Sequence, residues 1–171
     1  MAFIRKAAVW LRRRAENVLA ALLGVMFAAF VVQIVFRYFL NLPTGWTSEL
    51  IVITWLWLVL WGAAFVISDE EEIRIDLITS MVDARVRRAM FILVAIAIVA
   101  LYVVSLPAAY SYVTFMKVER SSYLKIPMNW VFSIFLFFVV AVVVRYLWLL
   151  WDLLRGKEPE AADPTKMASG I

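Results

Sequence analysis

Glu49 is the ionisable residue best placed to do chemistry, because it opens an apolar run that carries no further charge until Asp69. A carboxylate at the start of such an apolar segment can carry a proton, bind a substrate or begin a helix. Thr47 and Ser48 are good N-cap residues, and the helix dipole favours a carboxylate in the first turn. The pattern favours a capping role, then a salt bridge to Arg37, and last a proton-carrying role.

Gln33 and Arg37 lie four residues apart and therefore share one helix face. Arg37 ends its apolar run and can extend toward the headgroups. Gln33 lies about one turn deeper, where an unpaired amide is costly. We therefore expect Gln33 to form an interhelical hydrogen bond rather than to contact a substrate.

Three tryptophans, Trp55, Trp57 and Trp61, fall near the middle of the second apolar run. An indole N–H in an apolar medium prefers a partner, which suggests that part of this helix faces protein. Bulky side chains that simply face lipid explain the same pattern equally well. Trp46 and Trp130 are expected at the outer membrane interface.

An acidic run, residues 69–72, precedes Arg74 and Asp76. Calcium-binding loops space their oxygen ligands alternately around a glycine, and this run contains none. We therefore expect a solvated loop with a Glu70–Arg74 pair, and we expect Asp76 to cap a following helix.

Composition places the chain in a membrane. Of its 171 residues, 65% are hydrophobic, and its mean hydropathy is +0.90; soluble domains are nearer half apolar. It has neither Cys nor His, which excludes thiolate chemistry and histidine-held haem and disfavours zinc. We expect no catalytic residue, no metal, no cofactor and no nucleic-acid partner.

Four apolar runs reach the length of about 20 residues that a spanning helix needs. We predict an all-α integral membrane protein with a single membrane domain over residues 1–155 and a disordered tail over residues 156–171. The predicted spans are Val18–Tyr38, Thr47–Ser68, Ala89–Val113 and Met128–Trp151.

Basic residues cluster before the first span, between the second and third spans, and in the tail. Such residues stay on the cytoplasmic side, so both termini should be cytoplasmic. Two segments have the pattern of amphipathic helices that lie on a membrane surface: residues 3–14, and the middle loop with Ile78, Met81, Val82 and Val86 on one face.

The spans lack what a transport site requires. Proton-driven exchangers place a carboxylate deep in a span, and secondary transporters use broken helices around a midplane site. No Asp, Glu or Lys falls in the middle third of any predicted span, and only Pro107 interrupts one. The chain is therefore predicted to accompany another, transporting or catalytic, subunit.

Several motifs together resemble a known family. They are Gln-x-x-x-Arg-Tyr at 33–38, Trp-Thr-Ser-Glu at 46–49, Ile-Arg-Ile-Asp at 73–76, and the run from Ser121 to Met128 that includes Pro127. In their order and spacing they resemble the small membrane subunit, DctQ type, of a TRAP (tripartite ATP-independent periplasmic) transporter. One departure is Glu72, where such subunits often carry His.

The resemblance implies a multi-pass protein of the bacterial inner membrane. It also implies a large membrane subunit with the sodium and substrate sites, and a periplasmic binding protein that delivers an organic acid, such as a C4-dicarboxylate or sialic acid. The small subunit would extend the immobile scaffold, and loops 41–48 and 117–127 could contact the binding protein. The residues expected at subunit interfaces or in structural polar contacts are Gln33, Arg37, Trp46, Glu49, Trp55, Trp57, Trp61, Arg74, Asp76 and Pro127.

Two alternatives remain open from the residues alone. A small multidrug exporter also has four spans, but it needs a buried Glu in the first span, and none lies between Val18 and Tyr38. The membrane anchor of another complex, such as a quinone-linked enzyme, is the second alternative.

Overall fold

The computed structural model describes residues 2–67 and 82–156, with side chains described from Trp10 onward. Within these residues the regular structure is helical, and no strand is present beyond one isolated bridge. Each of the four helices is long and apolar enough to cross a membrane. The prediction of an all-helical chain with four span-length helices is therefore confirmed. The helices are α1 (Ala2–Tyr38), α2 (Gly45–Phe65), α3 (Ala84–Phe115) and α4 (Met128–Leu154).

The helices extend beyond several of the predicted spans. The N-terminal segment predicted to lie on the membrane surface forms the first turns of α1 and is continuous with the span. The middle-loop helix was predicted from Ile78 onward; its first residues, together with Arg74, Asp76 and Glu72, lie outside the described residues, and α3 begins at Ala84. The predicted tail lies outside them from residue 157 onward.

The start of α2 differs from the prediction. The helix begins at Gly45, its N-cap is Thr44, and no side chain caps it. Thr47 and Ser48 lie inside the helix, where the hydroxyl of Thr47 donates to the Thr44 carbonyl at 2.7 Å. The prediction that Thr47 or Ser48 caps α2, with Glu49 in its first turn, is therefore wrong. The helix begins earlier because the Ser48 N–H already donates to the Thr44 carbonyl, at 3.3 Å.

The described residues form two compact units. The first comprises residues 2–67 and 105–141, and the second comprises residues 82–104 and 142–156. In the first unit α1 packs along α2. Gly62 permits this approach, since a Cβ there would lie 3.3 Å from the Leu19 Cδ1 atom. Small residues bring spanning helices close enough for such packing, and here Ala15, Ala29 and Thr54 are buried as well.

The helices leave most of their apolar surface uncovered. In the most apolar stretch of each span, between 6 and 17% of the residues are buried within the chain. Large hydrophobic side chains such as Phe27, Leu93 and Val104 are more than half exposed. Water would not tolerate so much apolar area on four helices, so lipid or a partner protein must cover it.

Candidate functional site

The Glu49 carboxylate lies in a cradle of backbone amides. Its Oε1 atom accepts a hydrogen bond from the Ser122 N–H at 2.8 Å. Its Oε2 atom accepts two more, from Tyr123 at 3.1 Å and Leu124 at 2.7 Å. Successive backbone N–H groups of this kind form an anion-binding nest, and hydrogen bonds to a carboxylate are among the stronger ones in proteins. A side chain of α2 thus fixes the loop between α3 and α4.

The loop is shaped to present those amides. Ser121 and Ile126 close it, because the Ser121 N–H donates to the Ile126 carbonyl at 2.9 Å and the Ile126 N–H donates to the Ser121 hydroxyl at 3.0 Å. Lys125 has a φ of 55°, which is uncommon for a residue with a side chain. The tight turn between these residues therefore leaves the amides of 122–124 free to bind a carboxylate.

The ring of Tyr123 adds a second contact between the loop and α2. It lies against Gly45, the first residue of the helix, so closely that a Cβ at position 45 would overlap the ring. Any larger residue at position 45 would require the Tyr123 ring to move. Backbone cradle and aromatic ring together hold the loop against the first two turns of α2.

Pro127 lies where the loop enters α4. It forms an isolated bridge with Arg120, and the following N–H, of Met128, donates to the Glu119 carbonyl at 3.0 Å. Proline lacks an N–H and has a fixed φ, which suits the entrance to a helix. Both ends of the loop are thus joined just before α4 begins.

This arrangement bears on the three roles considered for Glu49. Both carboxylate oxygens already accept hydrogen bonds, and no ion pair joins Glu49 to Arg37 in the described part of the chain. The Arg37 guanidinium lies instead 5.9 Å from the centre of the Tyr38 ring. The salt bridge to Arg37, the second role considered for Glu49, is therefore absent among the described residues, and the carboxylate binds the loop amides instead.

Gln33 and Ser48 connect α1 to α2 near the same end. The Gln33 side-chain amide donates to the Ser48 hydroxyl at 3.1 Å, which is an interhelical hydrogen bond. Beside it, the rings of Phe36 and Trp46 meet edge to face, with 6.0 Å between their centres. Such pairs contribute about 1 kcal/mol beyond their buried area.

The three tryptophans of α2 have different surroundings. The Trp61 indole N–H donates to the Ala15 carbonyl of α1 at 3.2 Å, so this side chain faces protein. Trp57 is partly buried, whereas Trp55 is 55% exposed. Trp61 therefore joins α2 to α1, Trp55 is available to lipid or to another chain, and Trp57 is intermediate.

In the second unit, one arginine holds the end of α4. The Arg88 guanidinium donates to the carbonyl of Leu153, and at 3.4 Å to that of Leu154. The last carbonyls of a helix have no partner within the helix and carry partial negative charge. Arg88 satisfies both needs and brings the first turn of α3 beside the last turn of α4.

The described residues contain no group of three or more His, Cys, Asp or Glu side chains that could hold a metal ion. Sequence reasoning identified Glu49 and Gln33 but missed the amides of 122–124 and the role of Arg88. Backbone N–H donors cannot be recognised from the type of side chain. Arg88 could not be distinguished from the other arginines of the same basic run. Only the small and polar residues of 121–122 marked the loop as a turn.

The described residues thus define a multi-pass, all-helical membrane protein whose polar side chains connect its own segments. The family model for the DctQ component of tripartite ATP-independent periplasmic transporters matches residues 26–156. The chain belongs to this family, the small membrane component of TRAP transporters. The matched range includes Glu49 and the loop that it holds. No curated protein matches the chain.

Proposed function

We propose that this chain is the non-transporting scaffold subunit of a sodium-coupled TRAP transporter that imports organic acids, such as C4-dicarboxylates or sialic acid. A large membrane subunit carries the sodium and substrate sites, and a periplasmic binding protein delivers the substrate. The complex lies in the bacterial inner membrane, with both termini of this chain in the cytoplasm. The loop that Glu49 holds then faces the periplasm.

The observation that carries the proposal is how the polar groups are used. Glu49, Gln33 and Trp61 all bond to other segments of the same chain. No Asp, Glu or Lys lies in the middle third of a described span. Arg145, two thirds of the way along α4, has its guanidinium 5.9 Å from the Tyr146 ring. Secondary transporters instead direct polar groups toward a midplane site.

The exposed apolar surface supports a large membrane partner. On α1 an open groove of about 610 Å³ is lined by Ala20, Gly24, Phe27, Phe30 and neighbouring side chains, with Ile51 of α2. Its lining includes the small residues Ala20 and Gly24, and small residues allow helices to approach closely in a membrane. We propose that a helix of the large subunit packs into this groove.

Reconstitution tests the scaffold role. In liposomes with a sodium gradient, the chain alone is expected to take up none of a panel of labelled C4-dicarboxylates and sialic acid. Addition of the large subunit and the binding protein encoded beside it should produce uptake of one class of these organic acids. Sodium-dependent accumulation by this chain alone would contradict the proposal.

Gly24→Leu tests the groove. A Cβ at Gly24 would meet no atom within 4 Å, and leucine is a better helix former than glycine, so the substitution should not lower the thermal stability of the chain by itself. It fills the groove and should reduce recovery of the large subunit by about tenfold. Ala97→Leu, on an exposed face of α3, is the matched control. Unchanged recovery with Gly24→Leu would show that this groove faces lipid.

A further inference from the structure

We propose that the adjoining ends of α3 and α4 bind the phosphate of an anionic phospholipid, with Arg87 and Arg155 as the residues that contact it. Both residues lie in the second unit. The proposal concerns lipid rather than transport, and it does not depend on the function proposed above.

Arg88 holds the two helix ends together, and its guanidinium is already hydrogen-bonded within the chain. Its guanidinium is bound to the carbonyls of Leu153 and Leu154, where its charge offsets the negative end of the α4 dipole. This contact fixes the first turn of α3 beside the last turn of α4. Two helices that end together in this way, after spans of membrane length, place the residues around them at the depth of the lipid headgroups.

Arg87 is the neighbouring cation, and its side chain is half-buried. Its Nε atom is shielded from solvent, so a ligand outside the chain can reach this side chain only through the terminal guanidinium nitrogens. Consecutive helix residues point about 100° apart, so the α4 carbonyls that Arg88 binds do not serve Arg87. A phosphate oxygen matches both the charge and the forked geometry of a guanidinium.

Arg155 provides a second cation beside an aromatic surface. Its guanidinium lies 4.4 Å from the centre of the Trp151 ring, which orients an otherwise exposed side chain. Trp148 and Trp151 are 69% and 55% exposed, and tryptophan is enriched at the depth of the headgroups. A lipid can therefore place its acyl chain on these rings and its phosphate near the cations.

The described ends of α3 and α4 carry an excess of positive charge. The described residues of the second unit carry five arginines against two aspartates, Asp83 and Asp152. An acidic protein segment would satisfy the charge but has no need of the exposed tryptophans. The combination of guanidinium groups with interfacial indoles therefore favours a phospholipid. The five arginines are Arg85, Arg87, Arg88, Arg145 and Arg155.

Native mass spectrometry of the purified full-length chain tests the proposal. Phosphatidylglycerol and phosphatidylcholine are added at equal concentration, and the bound lipid is counted. Phosphatidylglycerol adducts should exceed those of phosphatidylcholine. Arg87→Gln and Arg155→Gln should each reduce them about fivefold, the usual contribution of one basic residue at a membrane surface. Arg87→Lys retains the positive charge but cannot form two parallel hydrogen bonds to a phosphate, so it should reduce the adducts less than Arg87→Gln does.

Arg120→Gln is the matched control, since Arg120 is exposed and lies in the loop of the first unit. It removes the same charge and should leave the adducts unchanged. An equal loss with Arg120→Gln, or equal retention of the two lipids, would overturn the site. Displacement of phosphatidylglycerol by millimolar inorganic phosphate would also overturn it, in favour of a site for free phosphate.

Discussion

The two units are held together by different polar groups. In the first, Glu49, Gln33 and Trp61 all bond to other segments of the same unit. In the second, Arg88 joins two helix ends, while Arg85 and Arg155 remain exposed. The first unit is therefore held by directed internal contacts. Both units also expose cations, such as Arg13 in the first and Arg85 in the second. The two properties can be tested separately.

Loss of the Glu49 carboxylate should have the largest effect, because three hydrogen bonds depend on it. In Glu49→Ala, amide hydrogen exchange over residues 116–128 should accelerate about tenfold or more. Glu49→Asp, whose shorter side chain withdraws both oxygens, should behave similarly. Glu49→Gln should accelerate exchange less, because its one oxygen can still accept the Tyr123 and Leu124 bonds.

The same loop contains the control for this prediction. Glu119 contributes its backbone carbonyl to the loop, and its side chain is exposed. Glu119→Gln should therefore leave exchange unchanged while it removes one negative charge. If Glu119→Gln matched Glu49→Gln, local charge rather than the amide cradle would explain the effect.

Arg88→Gln should have the next largest effect, confined to the second unit. It removes a charged donor from the last carbonyls of α4, which should destabilise the last turn by about 1 to 2 kcal/mol. Hydrogen exchange over residues 150–156 should rise, and the loop of the first unit should be unaffected. Arg85→Gln removes the same charge from an exposed side chain and should leave both segments unchanged. A similar change in the two variants would refute the capping role of Arg88.

The effect of Gly45→Ala on the free energy of unfolding should change sign when the Tyr123 ring is removed, which would reveal their contact. In the unaltered chain the new methyl group displaces the ring and should reduce stability by about 1 to 3 kcal/mol. In a Tyr123→Ala background the overlap is absent, and alanine is the better helix former by about 1 kcal/mol. The substitution should then be neutral or stabilising. A double-mutant cycle on thermal unfolding measures the difference, and additive effects would contradict the contact.

Ser48→Ala should have the smallest effect. It removes the hydroxyl that accepts the Gln33 amide, and interhelical hydrogen bonds of this type average about 0.6 kcal/mol in membranes. Ser122→Ala is the control, because Ser122 contributes only its backbone N–H to the cradle. Thermal unfolding should distinguish the two variants. Equal stability would show that Gln33 finds another partner.

Much of the fold followed from the sequence, because length and hydropathy determine which segments can cross a bilayer. The motifs around Gln33, Glu49 and Ser121 also identified the family, which the match over residues 26–156 confirms. The start of α2 was misplaced because Thr44, Thr47 and Ser48 are all possible N-cap residues, and the observed N-cap is Thr44. The contact of its first residue, Gly45, with Tyr123, almost 80 residues away in the chain, left no sign in the sequence. The partners of Glu49 could not be predicted, since every residue except proline carries the same amide donor.

The hydrogen bonds to Glu49 come from the main chain, so the loop is held in place independently of which side chains it carries. Substitutions at Ser122, whose side chain is exposed, leave the N–H groups in place, so this position can change while the segment keeps its shape. Over evolution, one carboxylate can therefore support many different loop surfaces. A library of substitutions at Ser122 should yield stably folded chains for nearly every residue except proline, which has no N–H to donate.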